Sequence, residues 1–228
     1  MKTVFDLLLS KARTPAGVAV LSIATLSALV IVFRPREEIT KQSDPEERLF
    51  VKVKRAVSGQ KIKLDNDQDE YLIYAGIRAP VGGEPFDEEA TRRNGELVGD
   101  QQKVRLRFDE EHRDADGRLL AYVFVEDDFV NETLVREGLA YVRSTTSSHR
   151  FAERLLSAQK EARSARRGIW SRRPGGTERS YAGDPHHGNF HRRTCEELPK
   201  IPADRLVEFP SDQAALEKGF APCAKCKP

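Results

Sequence analysis

Three cysteines near the C-terminus are the residues of this chain whose type and spacing point most directly to chemistry. Cys223 and Cys226 are separated by two residues, and Cys195 lies upstream in the same final segment, 190–228. Cysteines at this spacing commonly bind zinc as thiolates. A segment of about 40 residues rarely buries enough apolar surface to fold without a staple, so size as well as spacing favours a structural metal ion. A Cys223–Cys226 disulfide with Cys195 free is the alternative.

A row of basic residues could serve a different purpose, the binding of phosphates. Lys103, Arg105 and Arg107 alternate with apolar residues, which predicts a half-exposed strand with the three basic side chains on one face. Ordinary solvent-facing charge is the simpler interpretation. Over 228 residues, 38 basic side chains are nearly balanced by 36 acidic ones, and a net charge of +2 does not identify a nucleic-acid-binding protein.

An uncharged stretch near the N-terminus, Thr14–Phe33, has the length needed to cross a hydrocarbon core of about 30 Å as a helix. A cleaved signal peptide is the competing interpretation, but no small-residue cleavage site closes the run before Arg34. We therefore expect a single-pass membrane anchor within residues 1–33, followed by a polar tether over 34–48. Basic residues lie on both sides of the span, so they do not decide the orientation, and an extracytoplasmic soluble part is slightly preferred.

Residues 49–171 carry the patterns of a small α+β domain. Five segments with apolar residues at strand spacing are predicted to be β-strands. A helix is expected at about 87–98, before the fourth strand, and two more are expected at about 130–139 and 150–167, after the sheet. Five strands with helices in these places fit an OB-type barrel.

Two runs within this domain form a specific combination. One reads Gly-Arg-x-Leu-Ala-Tyr from Gly117, and the other reads Val-Asn-Glu-x-Leu-Val-x-x-Gly-x-Ala from Val130. The combination resembles the staphylococcal-nuclease-like (thermonuclease) family, and the resemblance extends over Leu49–Trp170. It implies a five-stranded OB-type barrel with three helices, in agreement with the residue patterns. It also implies hydrolysis of phosphodiesters with a bound calcium ion.

The resemblance assigns five reactive positions, and this sequence departs from the family at four of them. In active members two aspartates bind calcium, a glutamate acts on the attacking water, and two arginines neutralise phosphate charge. Gln60 and Arg78 stand in place of the two aspartates. Val81 replaces the glutamate and Ile73 replaces the first arginine, so that only Arg118 matches. A hard cation needs carboxylate oxygens, so calcium is not expected to bind here.

These replacements leave two classes of function. The first, which we expect, is a membrane-tethered and catalytically silent module that binds a nucleic acid or a protein through its barrel. The second is an active endonuclease whose metal site is displaced, with Glu84 as a substitute carboxylate. A solvated acidic turn is the simpler interpretation of Glu84. For Arg118, an ion pair with Asp114 or Asp116 competes with a role in binding phosphate.

The final segment, 190–228, resembles the small zinc-binding modules related to the metal domain of the Ada DNA-repair protein. It follows a range rich in Gly, Pro and charge, 172–189, which is predicted to be a linker. The resemblance rests on Cys195, on Phe-x-Ser-x-x-x-Ala-x-x-x-Gly ending at Gly219, and on the terminal Cys-x-x-Cys-x-Pro. It implies a structural zinc site without methyl-transfer chemistry. Those modules use four cysteines, whereas this segment has three, and His191, four residues before Cys195, is the natural fourth ligand. The ligand set implied here is therefore His191, Cys195, Cys223 and Cys226. His186 and His187 are less well placed.

Overall fold

A computed structural model describes residues 49–114, 117–145, 150–171, 178 and 180–228. The predicted membrane span, Thr14–Phe33, and the predicted tether lie outside these ranges. Within them, no helix is both long and apolar enough to span a bilayer.

The first part of the described chain is a closed barrel with helices packed on it. Its elements, in chain order, are β1 (Leu49–Ser58), β2 (Lys61–Leu64), β3 (Tyr71–Tyr74), β4 (Ile77–Arg78), α1 (Asp87–Val98), β5 (Lys103–Arg107), β6 (Leu119–Val125), β7 (Asp128–Phe129), α2 (Val130–Arg136), β8 (Tyr141–Val142) and α3 (Ala152–Ser164). Strands pair in the order β3-β2-β1-β5-β6, and β3 also pairs in parallel with β6, which closes the ring. The predicted five-stranded OB-type barrel of the α+β class, with its three helices, is therefore confirmed.

Alternation of side chains explains why these segments form barrel strands. On β2, Ile62 and Leu64 are buried in the barrel, while Lys61 and Lys63 stay partly exposed on the outer face, because successive side chains of a strand point to opposite faces. The five central residues of β6 are all buried, since α2 also packs against this strand. On the outer face of β2 and β3, Lys61, Lys63 and Tyr71 remain accessible, whereas Ile73 is buried.

Two buried asparagines fix the helices to the barrel. Asn131, in the first turn of α2, donates a hydrogen bond from Nδ2 to the carbonyl of Ala75 at 2.8 Å. Asn94 on α1 accepts a hydrogen bond from the Tyr74 hydroxyl at 2.8 Å and donates to the carbonyl of Ser58 at 2.7 Å. Buried polar groups that are satisfied in this way hold their neighbours in one arrangement. The ends of β1 and β3 are held in place by these contacts.

A short antiparallel pair, β4 with β8, lies next to the barrel, and Arg78 is opposite Tyr141 in it. Strands of two residues have no readable periodicity, so the sequence does not predict this pairing. Beyond the end of β8, the backbone N–H of Arg143 donates a hydrogen bond to the carbonyl of Gly76 at 2.8 Å. The pairing therefore brings Arg143 close to the segment that follows β3.

The C-terminal part forms a second, smaller sheet with one helix. Its elements are β9 (Tyr181–Asp184), β10 (Asn189–Arg192), β11 (Val207–Phe209), α4 (Asp212–Glu217) and β12 (Ala221–Pro222), and its strands lie in the order β11-β9-β10-β12. β9 falls within the range predicted as a linker, 172–189, so this sheet begins before the boundary expected at residue 190. The sequence of β9 lacks apolar alternation, but the strand is ordered by antiparallel pairing with β10 on one edge and β11 on the other.

The C-terminal sheet and the barrel belong to one compact unit and share a second hydrophobic cluster. From the barrel side it contains Ala162, Ile169 and Trp170, and from the C-terminal side Tyr181, Phe190, Phe209, Ala215, Leu216 and Phe220. The side chain of Gln159 on α3, which is 2% exposed, accepts a hydrogen bond from Val142 N and donates one to the Leu216 carbonyl. The C-terminal part therefore supports β8 and α3 directly.

Candidate functional site

The residues at the five reactive positions stand at the ends of neighbouring strands. They are Gln60 between β1 and β2, Ile73 in β3, Arg78 in β4, Val81 after β4, and Arg118 directly before β6. Gln60 bonds to Ala79 beside Arg78, Val81 and Arg78 both bond to Glu84, and Arg143 lies near Arg78 and Arg118, so most of these residues lie on one side of the barrel. We define the cleft as these five residues together with Glu84 and Arg143.

Gln60 acts as a structural tie in the cleft. Its side-chain Oε1 accepts a hydrogen bond from the backbone N–H of Ala79 at 2.5 Å, and its carbonyl accepts one from Tyr74 N at 2.9 Å. The neighbouring Gly59 allows α1 to approach, since a Cβ at that position would lie 2.6 Å from the Cβ of Ala90. A neutral amide whose oxygen is already bonded is a poor substitute for a calcium-binding aspartate.

Arg78 and Glu84 form a nearly buried ion pair. Nη2 of Arg78 lies 2.7 Å from both carboxylate oxygens of Glu84, and the two side chains are 9% and 15% exposed. The backbone N–H of Val81 also donates to Glu84 at 3.1 Å, and the guanidinium lies 5.8 Å from the ring centre of Tyr141. Glu84 therefore faces inward as the ion-pair partner of Arg78, and the solvated acidic turn expected as the simpler interpretation is not observed.

Arg118, the one residue that matches the family's reactive positions, is ion-paired with Asp114. Its Nε and Nη2 lie 2.8 and 2.7 Å from Oδ2 of Asp114, and its backbone N–H donates to Oδ1 at 2.9 Å. The Arg118 side chain is 47% exposed, so it still faces solvent. Its pairing with Asp114 is one of the two ion pairs considered from the sequence.

Arg143 is the cleft residue that sequence reasoning missed. Burial lowers the pKa of its guanidinium below the ordinary value, and the nearby charges of Arg78 and Arg118 lower it further, while Asp114 acts in the opposite direction. The structure assigns Arg143 no ion pair with any carboxylate in the described ranges. Only the β4–β8 pairing places it here, and two-residue strands give no sequence signal. The cleft thus holds three guanidinium groups, two of which have carboxylate partners.

The basic row on β5 lies where alternation predicted it. Val104 and Leu106 are buried, while Lys103 is exposed and Arg105 and Arg107 are intermediate. Arg105 packs over the ring of Phe124, 4.7 Å from its centre, and donates to the carbonyl of Glu126 at 3.0 Å. These contacts account for the position of the Arg105 side chain without any ligand. Binding of nucleic acid by this row stays a prediction.

A second constellation lies in the C-terminal sheet. The ligand atoms of His191, Cys195, Cys223 and Cys226 all lie within 4.8 Å of one another. Parallel pairing of β10 with β12 is responsible, because it sets His191 next to Cys223, whose N–H donates to the Phe190 carbonyl at 3.0 Å. Cys195 returns through a turn closed by its N–H and the Arg192 carbonyl. All three cysteines are free, so the disulfide considered as an alternative is not formed.

The chemistry of these four donors fits a metal ion. Three thiols and one imidazole are the donors of a tetrahedral zinc site, in which sulfur atoms lie about 3.8 Å apart for bonds of about 2.3 Å. Although burial raises the pKa of Cys223, hydrogen bonds from His191 and from the Cys226 and Lys225 backbone lower it overall to about 6. Burial, together with the neighbouring thiols, raises the pKa of Cys226 to about 12. A bound cation would stabilise the thiolate form of both cysteines, and the effect would be larger for Cys226.

His186 and His187 lie outside this cluster, as their spacing predicted. Nδ1 of His187 lies 2.7 Å from Oδ2 of Asp184, a carboxylate whose residue is fully buried. Arg205 also contacts that oxygen, at 3.3 Å. Burial raises the pKa of Asp184, but the hydrogen bonds from His187 and His186 and the charge of Arg205 outweigh it and lower the pKa overall. This group closes the β9–β10 turn and contributes no metal ligand.

Similarity to known proteins agrees with the barrel fold. Residues 71–172 match the family model of staphylococcal nuclease homologues. The thermonuclease of Staphylococcus intermedius is 30% identical over 167 residues, which are 70% of this chain and 99% of that protein. The thermonuclease of Staphylococcus hyicus is 33% identical over 127 residues, which are 53% of this chain and 75% of that protein. This chain belongs to the staphylococcal nuclease homologues.

The matches to family members differ in how much of each protein they cover. The SPbeta prophage-derived endonuclease YokF of Bacillus subtilis (strain 168) is 35% identical over 147 residues, which are 60% of this chain and 49% of that protein. The chain therefore spans about half the length of this relative. The match to the family of staphylococcal nuclease homologues ends at residue 172 and so does not include the His/Cys cluster.

Proposed function

We propose that this member of the staphylococcal nuclease homologues is catalytically silent and binds the phosphate backbone of a nucleic acid in the cleft without a metal ion. An N-terminal membrane anchor, Thr14–Phe33, would tether it, with the soluble part on the extracytoplasmic side. The His/Cys cluster would hold a structural Zn²⁺ ion, as in the Ada-related modules that the C-terminal segment resembles. The choice between binding and hydrolysis depends on the cleft.

The loss of calcium binding follows from charge. Replacing an aspartate by Arg78 puts a cation where a cation would have to bind, and two unit charges about 4 Å apart interact by roughly 4 kcal/mol at an effective dielectric of about 20. Gln60 is neutral and its oxygen is bonded to Ala79. The Glu84 carboxylate is engaged by Arg78 through both oxygens. No carboxylate of the cleft is therefore left to ligate calcium.

The observation that carries the binding proposal is the position of Arg143. It is a partly buried guanidinium near Arg78 and Arg118, and the described residues supply it with no ion pair. A cation that is partly removed from water is stabilised by a compensating anion. Phosphate oxygens suit this place, because guanidinium groups bind them with charge-assisted and often bidentate hydrogen bonds. In this proposal the positive charge of arginine takes over the role of the calcium ion toward phosphate.

An active endonuclease is the second candidate, and the names of the relatives favour it. YokF and YncB of Bacillus subtilis are both named endonucleases. Hydrolysis in this chain would need a general base and a metal ligand, and Glu84, three residues after Val81, is the carboxylate closest in sequence to the replaced glutamate position. Its hydrogen bonds to Arg78 and Val81 would have to break before it could act. We therefore rank binding without hydrolysis first.

We expect Arg143→Gln to weaken the binding of single-stranded DNA by about 10- to 150-fold, since charge-assisted hydrogen bonds contribute roughly 1.5–3 kcal/mol. The slope of log K against the logarithm of the salt concentration should become shallower by the contribution of about one phosphate contact. The measurement is fluorescence anisotropy of a labelled 20-nucleotide strand with the full chain in detergent, in buffer freed of calcium. Arg92→Gln is the matched control, because Arg92 is an exposed arginine on α1 paired with Glu96. Equal affinities for the two variants would contradict the proposal.

A further inference from the structure

The outer face of β2 and β3 carries an exposed aromatic ring between two lysines. Tyr71 is 39% exposed. The Nζ atoms of Lys61 and Lys63 lie 5.1 and 5.4 Å from the centre of its ring. The β2–β3 register explains this grouping, because Lys63 is directly opposite Tyr71 and Lys61 is opposite Ile73. We call Lys61, Lys63 and Tyr71 the platform.

We propose that the platform stacks against a base of a single-stranded nucleic acid whose phosphates lie in the cleft. This inference rests on the proposed function and adds to it the kind of strand that binds. Tyr71 offers a flat ring to the base, and the two lysines offer charge to the phosphates on either side. Proteins that bind single strands combine a positively charged groove with aromatic rings in this way.

The position of the platform relative to the cleft supports the proposal. Tyr71 and Ile73 are two residues apart on β3 and therefore point to the same face, about 7 Å apart. Ile73, which is only 6% exposed, occupies one of the five cleft positions, and Lys61 directly follows Gln60, which is another. A strand that leaves the arginines of the cleft along β3 would reach Tyr71 next.

The charges of the platform are suited to an anionic ligand. Lys63 and Lys54 both pair with Asp69, which fixes the Lys63 chain next to the ring. Lys61 has no carboxylate partner in the described ranges, and its ammonium group contacts the Tyr71 ring. A base that slides over the exposed part of the ring would bring its phosphate to Lys61. In a duplex the base faces are covered by their neighbours, so the platform favours single strands.

The test compares Tyr71→Ala with Tyr71→Phe in the full chain. We expect Tyr71→Ala to weaken single-stranded DNA binding by about 5- to 150-fold, the range measured for loss of one stacked base, and to leave duplex binding unchanged. Tyr71→Phe keeps the ring and should keep the affinity within about twofold. Thermal melting of both variants checks that the fold is intact. We expect both to fold, because the Tyr71 side chain is exposed.

The possible outcomes separate this inference from the proposed function. If Arg143→Gln weakens binding while Tyr71→Ala does not, the platform is refuted and the arginine cleft stands. If Tyr71→Ala weakens single-stranded and duplex DNA equally, base stacking is also refuted. If the unaltered chain binds no nucleic acid but captures a protein through the same face, both proposals fail.

Discussion

Removal of the zinc ion that we propose for the His/Cys cluster is expected to unfold the C-terminal sheet and expose Trp170. Structural zinc contributes about 10 kcal/mol or more to the folding of small modules, more than the apolar packing of a segment of about 40 residues usually supplies. Its apolar residues form one cluster with Trp170, which is 7% exposed and packs edge-on against Tyr141 at 5.2 Å. Loss of the sheet would bring water to the indole.

The chain contains a single tryptophan, so its fluorescence reports on this one interface. We expect about one equivalent of zinc in the reduced full chain, and a red shift of tryptophan emission when a chelator removes it. Cys223→Ser should lose the metal and show the shifted emission without chelator. His186→Ala is the matched control, because His186 lies outside the ligand cluster. Less than a tenth of an equivalent of zinc, or unchanged emission after chelation, would contradict the prediction.

Glu84→Ala is expected to destabilise the protein by about 3 kcal/mol, because it leaves the charge of Arg78 buried without a partner. Removing one member of a buried ion pair costs more than the pair contributes, since the remaining ion cannot regain its hydration. The exposed fractions of 9% for Arg78 and 15% for Glu84 place this pair near the buried limit. Urea denaturation followed by circular dichroism gives the free energy of unfolding.

Two comparisons isolate the charge effect from simple truncation. Glu88→Ala removes an exposed carboxylate from the first turn of α1 and should change stability by no more than about 0.5 kcal/mol. The double variant Arg78→Met with Glu84→Leu replaces the pair by apolar groups and should lie within about 1 kcal/mol of the unaltered chain. If Glu84→Ala is as stable as Glu88→Ala, the Arg78 guanidinium must reach solvent when its partner is removed, and the prediction is wrong.

The barrel was predictable because its strands and helices carry strong local patterns. Alternation on β2 and β5 separates buried from exposed side chains, and the helix expected at 87–98 is the observed α1. The grouping of His191, Cys195, Cys223 and Cys226 was also predictable, because it depends on residue types and spacing within about 40 residues.

The features that the sequence did not reveal all depend on contacts between distant segments. Arg143 enters the cleft only because β8 pairs with β4, and each of these strands has two residues. β9 has no apolar alternation and is ordered by its two neighbours. Trp170 packs against the C-terminal sheet. The sequence predicts that this apolar residue at a helix end is buried, but it does not predict which surface covers it.

Only part of the charge arrangement in the cleft could be predicted from the sequence. Replacement of an aspartate by Arg78 indicated the loss of calcium, and Glu84 was considered as a substitute ligand. Spacing alone could not tell whether Glu84 would face a metal ion, solvent or Arg78. The hydrogen bonds from Arg78 and Val81 decide this in favour of the ion pair.

The most direct test of binding without hydrolysis follows one labelled strand in two gels. The full chain is incubated with single-stranded DNA or RNA in the absence of metal and with Ca²⁺, Mg²⁺ or Mn²⁺, and each sample is divided between a native and a denaturing gel. We predict a shifted band in the native gel and an intact strand in the denaturing gel under every condition. A missing general base alone lowers rates by about 10²–10⁴, and a missing charge donor by a comparable factor. Cleavage that increases with protein concentration and disappears in Arg118→Ala would contradict this and establish the chain as a nuclease.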